Sequence, residues 1–419
     1  MKKLIKAAGL MTAGAAISTA AVLAAEGGSK IYTLSAGLRG FYDDNIFTGN
    51  NKVDIDNADG DNNLTTGVDQ RKMSSFGFEV TPGIRFTIPL ENTTISAGYT
   101  YGLRYYEDRP GKSYDQFHLA DALVNHTFNE RYKVSIFDNL AIAQEPEQVG
   151  SSPGAPNSQL LRAEGNNLRN TAGLDFTAVL APQWSAVMGY RNSYYDYNSP
   201  QFADFLNRME HLPSLGLRYQ LSPKTVTSLN YQYGSNDYRT ANERDSTSHY
   251  IFAGVDHSFT ARLVGAVRLG AQFIEWDNAA GGQRADATNP YADANLTYSY
   301  TDGSNVQLGV RHGRNATDLV GVLDQQSTLV YGSINHQITA LLRATLIGQY
   351  QNAEFVGVTE GVGADGSSED YASIGLTLNY KINAYLSAEA AYYYDRLSSK
   401  IDLRDYDRNR VFVGVRATY

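Results

Sequence analysis

Hydrophobic and polar residues alternate along most of this chain with a period of two, the spacing of a β-strand whose two faces meet different surroundings. The last ten residues, RVFVGVRATY, show the pattern clearly. Val411, Val413 and Val415 fall on one face of that strand, and Arg410 and Arg416 fall on the other. A soluble sandwich would bury the apolar face in its core, whereas a barrel in lipid would turn it outward.

The connections between these segments favour the barrel. Short turns recur about every 40 residues, which indicates a repeating hairpin. The short turns lie at 91–93, 129–131, 181–184, 222–224, 260–262, 301–304, 339–340 and 382–384. Longer polar and Gly-rich connections lie between them, including 150–167, 199–210, 277–289 and 357–370. Strict alternation of short and long connections is typical of a membrane barrel, with short turns on one side and long loops on the other.

Eight short turns and nine long connections predict 18 strands, with both ends of the chain on the short-turn side. Sixteen strands is the alternative, because a long loop can hide or imitate a strand. The even count fits bacterial outer-membrane barrels. The predicted fold is therefore all-β, a transmembrane antiparallel barrel with short periplasmic turns and long extracellular loops.

Composition supports this architecture. The chain holds 30 Tyr and 38 Gly among 419 residues but no Cys, so it gains nothing from disulfides. No apolar run beyond the N-terminal segment reaches the ~20 residues of a transmembrane helix. Aromatic or large apolar residues flank the short turns at Phe86, Phe128, Trp184, Leu221, Phe259 and Tyr419. Tyrosines fall near the long loops at 99, 101, 190, 231, 233, 298, 300, 350, 392 and 394, so two interfacial belts are expected.

The N-terminus reads MKKLIKAAGLMTAGAAISTAAVLAAEGG, with lysines ahead of an apolar run that closes on small residues. This order predicts a secretory signal peptide over residues 1–24, followed by a single barrel domain over 25–419. A buried or membrane-spanning helix is the alternative. The full chain has a net charge of −9, and cleavage would remove three lysines and leave it more acidic. That balance argues against nucleic acid as a partner.

If the Val, Leu and Tyr phase faces lipid, the opposite phase faces the lumen. Charges lie on that phase in nearly every predicted strand. The predicted lumen or pore-lining residues are Arg39, Glu79, Arg85, Arg104, Asp121, Asp175, Arg191, Arg218, Arg268, Asp293, Arg311, Arg343, Glu389 and Arg416, with Lys133 and Asp256 on the same phase. A dry core could not hold so many charges unless they were paired, so we expect water or a polar network inside.

A barrel of this strand number is wide enough for an aqueous channel. Because few residues separate the predicted cleavage site from Ile31, no N-terminal plug is expected, and a loop must narrow the pore. The candidates are residues 199–210, with Phe202, Phe205 and Leu206 at helical spacing, and residues 150–167; either could instead cover the rim. Arginine predominates on the lumen phase, which predicts passive diffusion of small polar solutes with a mild anion preference. Pairing of Arg with Asp across strands would weaken that preference.

Several short stretches match known sequence motifs but lack the neighbouring elements that those motifs require. GVGADG (361–366) matches a dinucleotide pattern without a following helix, and GSSPG (150–154) places Pro153 where a nucleophile elbow needs a helix. His118, His126, His257 and His312 fall mostly on the outward phase and form no metal motif. We therefore predict no catalytic residue, no metal site and no cofactor. An adhesin or structural anchor, or an enzyme assembled at the barrel rim, remains the alternative function.

The first predicted strand ends in YDDNIF (residues 42–47), with Tyr42 on the outward phase and Asp43 on the inward phase. Acidic residues follow at Asp54, Asp56, Asp59, Asp61 and Asp69. Their order does not match an EF-hand, although charge density alone leaves a loose Ca²⁺ contact open. The motif is expected to mark the point where the strand gives way to a surface loop, and not a site of chemistry.

From about Ser29 to Tyr419 the pattern resembles the porin-like outer-membrane barrels of Gram-negative bacteria, and YDDNIF is similar to a motif of the β-barrel porin 2 family. VFVGVRATY resembles the C-terminal assembly signal of such barrels, with Val415 and Tyr419 as its signal residues; Tyr stands where the family commonly ends in Phe. The resemblance implies a bacterial outer-membrane location. It also implies as partners membrane lipid and lipopolysaccharide, the barrel-assembly machinery and small polar solutes, and it allows a homotrimer.

Overall fold

The computed structural model describes residues 30–50, 72–143, 167–198, 200–279, 283–319, 321–358, 366–401 and 404–419. The predicted signal peptide, the acidic residues from Asp54 to Asp69 and almost all of the 150–167 connection lie outside these ranges. Among the described residues, no helix combines the length and the apolar character that crossing a bilayer requires.

The described chain forms eighteen β-strands, one short α-helix and one 3-10 turn. The first nine strands are β1 Tyr32–Asp43, β2 Ser75–Pro89, β3 Thr93–Tyr106, β4 Tyr114–Thr127, β5 Tyr132–Ala143, β6 Asn167–Ala181, β7 Trp184–Tyr197, β8 Arg208–Ser222 and β9 Thr225–Tyr238. The others are β10 Ser246–Ser258, β11 Leu263–Ala279, β12 Gln283–Thr301, β13 Ser304–Asn315, β14 Val322–Gln337, β15 Leu342–Val358, β16 Ser368–Lys381, β17 Leu386–Ser399 and β18 Tyr406–Thr418. Helix α1 (Pro200–Leu206) lies between β7 and β8, and the 3-10 turn (Asn242–Arg244) between β9 and β10.

Each strand pairs antiparallel with its neighbours in sequence, and β1 also pairs with β18, so the sheet is closed. The predicted antiparallel barrel of 18 strands is confirmed. Closure leaves no free sheet edge, which is the condition that lipid imposes on a strand-based fold. All eight predicted short turns connect consecutive strands.

The β11–β12 connection differs from the prediction. Residues 277–289 were expected to form a long loop, but β11 continues to Ala279 and β12 begins at Gln283. The polar residues of this stretch alternate with small ones in a hairpin, and Ile274, Trp276 and Leu323 pack against its inner side with Ala285 and Ala287. The strands therefore extend beyond the ~10 residues that a tilted membrane crossing needs.

Burial along the strands is inverted relative to a soluble protein. Val413 is 62% exposed, whereas the next inward residue, Phe412, is 5% exposed. The same contrast separates Leu38 from Phe41 in β1. Large apolar side chains exposed around the whole outer wall fit contact with lipid and would be unfavourable in water. The alternation of apolar and polar residues in RVFVGVRATY thus corresponds to the alternation of outward and inward side chains in β18.

Candidate functional site

The inner wall carries an ordered set of charged side chains. Glu79 is only 1% exposed and accepts hydrogen bonds from Arg39 Nε at 2.9 Å and Arg104 Nε at 2.8 Å. Arg39 also reaches Glu389, at 3.5 Å. Strand pairing creates this group, because Arg39 lies opposite Glu79 in the β1–β2 ladder and Glu79 opposite Arg104 in the β2–β3 ladder. The sequence predicted these four charges but not their association.

Other predicted lumen charges are also paired. Arg85 donates two hydrogen bonds to Asp121, at 2.8 and 2.6 Å. Arg311 Nε donates to Asp293 at 3.0 Å, and Arg268 Nη2 donates to Asp256 at 3.2 Å. These pairs join strands that are adjacent or two apart, and each cancels most of the field of its arginine.

A cavity of about 240 Å³ lies on the inner side of β6 to β13. Six predicted lumen residues line it: Asp175, Arg191, Arg218, Arg268, Asp293 and Arg311. Tyr250, Tyr291, Gln232, Gln272 and Asn230 complete much of its polar surface. Residues contributed by eight consecutive strands can share one cavity only on the concave side of the sheet. The structure therefore brings these six predicted residues together, and the aromatic and amide groups are the part that the sequence reasoning missed.

Two arginines of this cavity differ from the paired ones. Within the described residues, the side chains of Arg191 and Arg218 form no ion pair within 4.0 Å and no hydrogen bond. The charge of Asp175 acts on both, and that of Asp256 acts more strongly on Arg218. Arg268 adds a buried Nη1 that lacks a hydrogen-bond partner among the described residues. The cavity thus holds guanidinium groups that can bind an incoming acceptor.

The remaining predicted lumen residues lie apart from this cavity. Arg343 Nε donates to Gln337 at 3.0 Å, close to a short turn. Arg416 is exposed near the end of β18 and lies opposite Gly37. The predicted signal residues Val415 and Tyr419 are exposed, and Lys30 lies 3.5 Å above the Tyr419 ring. It stays a prediction that all fourteen residues line a water-filled pore.

We expect Glu79→Gln to increase any preference for anions. The substitution removes one negative charge from between Arg39 and Arg104, so both guanidinium groups lose the carboxylate that they share. The anion-to-cation permeability ratio should rise by about twofold or more, since an uncompensated ring of arginine favours anions. Reversal potentials in a salt gradient measure this ratio. The double variant Arg85→Gln/Asp121→Asn is the matched control, because it removes one charge of each sign.

YDDNIF has a role that the sequence did not reveal. Asp43 is 2% exposed and accepts hydrogen bonds from Arg408, with Arg408 Nε at 3.0 Å. Asp44 accepts from the backbone and the side chain of Asn409, at 2.6 and 2.7 Å. Asn45 donates to the backbone oxygen of Asp407 at 2.9 Å. The motif therefore bonds the end of β1 to the start of β18. The expectation that it only marks the end of a strand was incomplete.

The histidines lie on the outer wall. All seven form a contact of 2.7 to 2.9 Å between Nδ1 and a hydroxyl of another strand. The pairs are Thr93–His126, Tyr99–His118, Tyr190–His211, Thr225–His257, Tyr231–His249, Tyr300–His336 and Thr328–His312. Within the described ranges no three His, Cys, Asp or Glu residues are grouped to hold a metal ion. The GVGADG and GSSPG stretches lie outside the described residues, apart from Gly366.

Solved structures with a similar overall fold include three porins. The BenF-like porin of Pseudomonas fluorescens Pf-5 is 12% identical, with a TM-score of 0.47 over 94% of this chain and 100% of that one. OccK2 (OpdF) of Pseudomonas aeruginosa in complex with glucuronate is 11% identical, with a TM-score of 0.46 over 92% and 98%. OccAB4 of Acinetobacter baumannii is 12% identical, with a TM-score of 0.44 over 94% and 99%. These values are too low to carry any solute over to this chain.

No functionally curated protein matches the chain at a significant level of sequence similarity. A family model does match: the family described as Putative beta-barrel porin 2 aligns with residues 185–419, more than half of the chain. The aligned region contains β8 to β18 and nearly all of β7, including the strand partners of YDDNIF. The chain belongs to the β-barrel porin 2 family and is a porin-like barrel of the bacterial outer membrane.

Proposed function

We propose that this barrel is a channel for passive diffusion of small polar solutes, with a mild preference for anions. The observation that carries the proposal is the pair Arg191 and Arg218. Both line the inner cavity, and neither has a carboxylate within ion-pair distance in the described part of the chain. Of the other arginines of the cavity wall, Arg268 and Arg311 are paired with Asp256 and Asp293, and Arg314 is paired with Asp324. Pairing therefore reduces the preference to a mild one and does not abolish it.

The cavity surface suits polar solutes. Tyr250 and Tyr291 meet edge to face with ring centroids 6.0 Å apart, and Gln272 Nε2 donates to the Tyr250 hydroxyl at 2.8 Å. Such a wall offers apolar faces and hydrogen-bonding groups together, as solute-binding pockets commonly do. Sugar-like or carboxylate-bearing solutes have the acceptors that these groups need.

Bilayer recording of the purified barrel tests the proposal. A tenfold salt gradient should give a steady conductance with a reversal potential on the anion-selective side. A cation-selective potential would reject the anion preference but keep the channel. Complete absence of conductance from a correctly folded barrel would reject the channel and leave an adhesin or a rim-sited enzyme as the function.

The partners are proposed on the same basis. The exposed outer wall contacts membrane lipid, and the outer tyrosine belt lies where lipopolysaccharide begins. The barrel-assembly machinery is proposed to recognise Val415 and Tyr419, whose side chains are exposed on the last strand. A homotrimer stays an expectation from the family resemblance alone.

A further inference from the structure

The hairpin β13–β14 leaves the barrel wall near its tip. Pairing between β12 and β13 runs from the short turn at 301–304 only as far as Ala292 and His312. In contrast, β13 remains paired with β14 as far as Asn315 and Gln325. Pro290 lies in β12 at the point of separation and has no N–H to donate. The backbone N–H of Arg314 donates to Gln272 Oε1 of β11 at 3.1 Å instead. The end of β13 is thus no longer paired with β12.

The released tip points to the inner side of the barrel. Asn315 and Ala316 line the inner cavity together with residues of β6 to β12. Thr317 is 0% exposed and Leu319 is 1% exposed. A loop on the surface would leave such residues in water, so residues 316–319 are covered on several sides by other parts of the protein.

Arg244, in the turn between β9 and β10, holds this segment on one side. Its guanidinium donates to the Thr317 backbone oxygen and, at 2.9 Å, to the Phe205 backbone oxygen in α1. Leu206, the last residue of α1, packs against Tyr195 and Tyr197 of β7. Arg244 therefore joins three connections between strands: β7–β8, β9–β10 and β13–β14. Helix α1 lies against inward-facing residues of β7, which agrees with the expectation that residues 199–210 fold inward.

Arg404, between β17 and β18, holds the segment on the other side. It donates to Asp318 at 3.2 Å and to Glu369 of β16 at 3.1 Å, and its side chain is 1% exposed. Leu319 packs beside this contact with Val322, Phe355 and Ile401. Breaking a buried ion pair from one side is strongly unfavourable, so this anchor is firm.

The two anchors lie far apart around the ring. Arg404 follows β17 and Arg244 precedes β10, so eight of the eighteen strands separate the two anchors on the shorter way around the barrel. The segment between them is bonded to both, because Asp318 accepts from Arg404 and the Thr317 backbone oxygen accepts from Arg244.

We propose that residues 316–319 form a strap across the extracellular mouth that limits the size of the solutes that pass, with Arg244 and Arg404 as its anchors. The inference rests on the proposed channel function and names the element that constricts it. It replaces residues 199–210 as the principal narrowing segment within the described residues. Helix α1 then serves as a support for the strap.

Arg404→Ala should free one end of the strap. In bilayers, conductance should rise by about twofold or more, and proteoliposome swelling should extend to larger neutral sugars, because pore diameter limits both. Asp318→Asn weakens the bond between Asp318 and Arg404 but leaves the Arg404–Glu369 pair intact. This variant replaces Arg404→Ala in the test if Arg404→Ala does not fold. Arg396→Ala is the control, because Arg396 is an exposed residue on the outer phase of β17.

A cysteine probe separates a moved strap from a damaged barrel. The chain has no cysteine, so Thr317→Cys provides a unique thiol in a fully buried position. A water-soluble maleimide should label it slowly in the parent barrel and at least about tenfold faster when Arg404→Ala is added, since labelling requires exposure. Fast labelling in the parent, or fast labelling with unchanged conductance and size limit in Arg404→Ala, would overturn the strap. A silent parent channel would instead reject the proposed function.

Discussion

Asp43→Ala is expected to destabilise the barrel by about 3 to 5 kcal/mol, because it removes the carboxylate that is bonded to the buried Arg408 guanidinium. Both side chains are about 2% exposed, and Arg408 Nε lies 3.0 Å from each oxygen of Asp43. Asp43 also accepts a hydrogen bond from the Asn45 backbone at 3.0 Å, so the substitution disturbs the turn that follows β1 as well.

The position of this pair explains why the effect should be large. Strands β1 and β18 are paired over nine residues, whereas β1 and β2 are paired over twelve. The closing ladder is therefore short, and YDDNIF extends it with side-chain bonds to Asp407, Arg408 and Asn409. The loss of these bonds should open the barrel at the point where the chain ends meet.

Thermal unfolding of the purified barrel in detergent, followed by circular dichroism, measures the effect. The control is Asp196→Ala, which breaks an ion pair with Arg239, a side chain that is 58% exposed. Exposed pairs contribute about 0 to 1 kcal/mol, so this control should unfold close to the parent. Equal losses in the two variants would show that YDDNIF has no special role in closure.

The same pair gives a dependence on pH. Burial alone would raise the pKa of Asp43, but the charges and hydrogen bonds of Arg408 hold it below its ordinary value of 3.8. A carboxyl group whose pKa is lowered on folding stabilises the protein above the unfolded-state pKa, and that stabilisation is lost as the pH falls below 3.8. Asp43→Asn should lack this part of the acid sensitivity.

The sequence could predict the barrel because lipid and the interior impose opposite demands on adjacent residues. Val413 and Phe412 are neighbours in the chain, yet one faces outward and the other is buried inside. Turn spacing then gave the strand number, since every hairpin returns to the same side of the membrane. Arg191 and Asp175, which the same phase assigns to the inside, both line the cavity.

Pairing among those inner residues could not be predicted, because it depends on the register between strands. Arg85 meets Asp121 two strands away, whereas the side chain of Arg191, on the same phase, meets no carboxylate within 4.0 Å in the described part of the chain. The clasp of Asp43 with Arg408 joins residues 365 positions apart, and only closure of the ring reveals it. The complementary run DYDRNR in β18 was the available signal.

Loops were predicted least well, since their course depends on partners from other loops. The burial of Thr317 requires Arg244, and that of Leu319 requires Phe355 and Ile401. The extended β11–β12 hairpin was missed for the same reason, because its inner contact, Leu323, comes from another hairpin.

The double variant Arg191→Gln/Arg218→Gln is expected to abolish the anion preference. A charge about 4 Å from a passing ion contributes about 1 kcal/mol in water, which corresponds to a roughly fivefold change in local ion concentration for each arginine. The anion-to-cation permeability ratio should therefore fall by about fivefold to twentyfold, and the field of Asp175 should then dominate this part of the wall. Conductance itself should persist, since neither side chain is large enough to close a barrel of 18 strands when changed to glutamine.

Reversal potentials across a salt gradient give the ratio, and repeating them at rising ionic strength tests the cause. Screening shortens the reach of each charge to about 3 Å at 1 M salt, so the difference between the parent and the variant should shrink there. Arg311→Gln/Asp293→Asn is the matched control in the same cavity, because it removes a bonded pair of opposite charges 3.0 Å apart. If that control shifts the ratio as far as the arginine variant does, selectivity arises from the shape of the cavity and not from its two unpaired guanidinium groups.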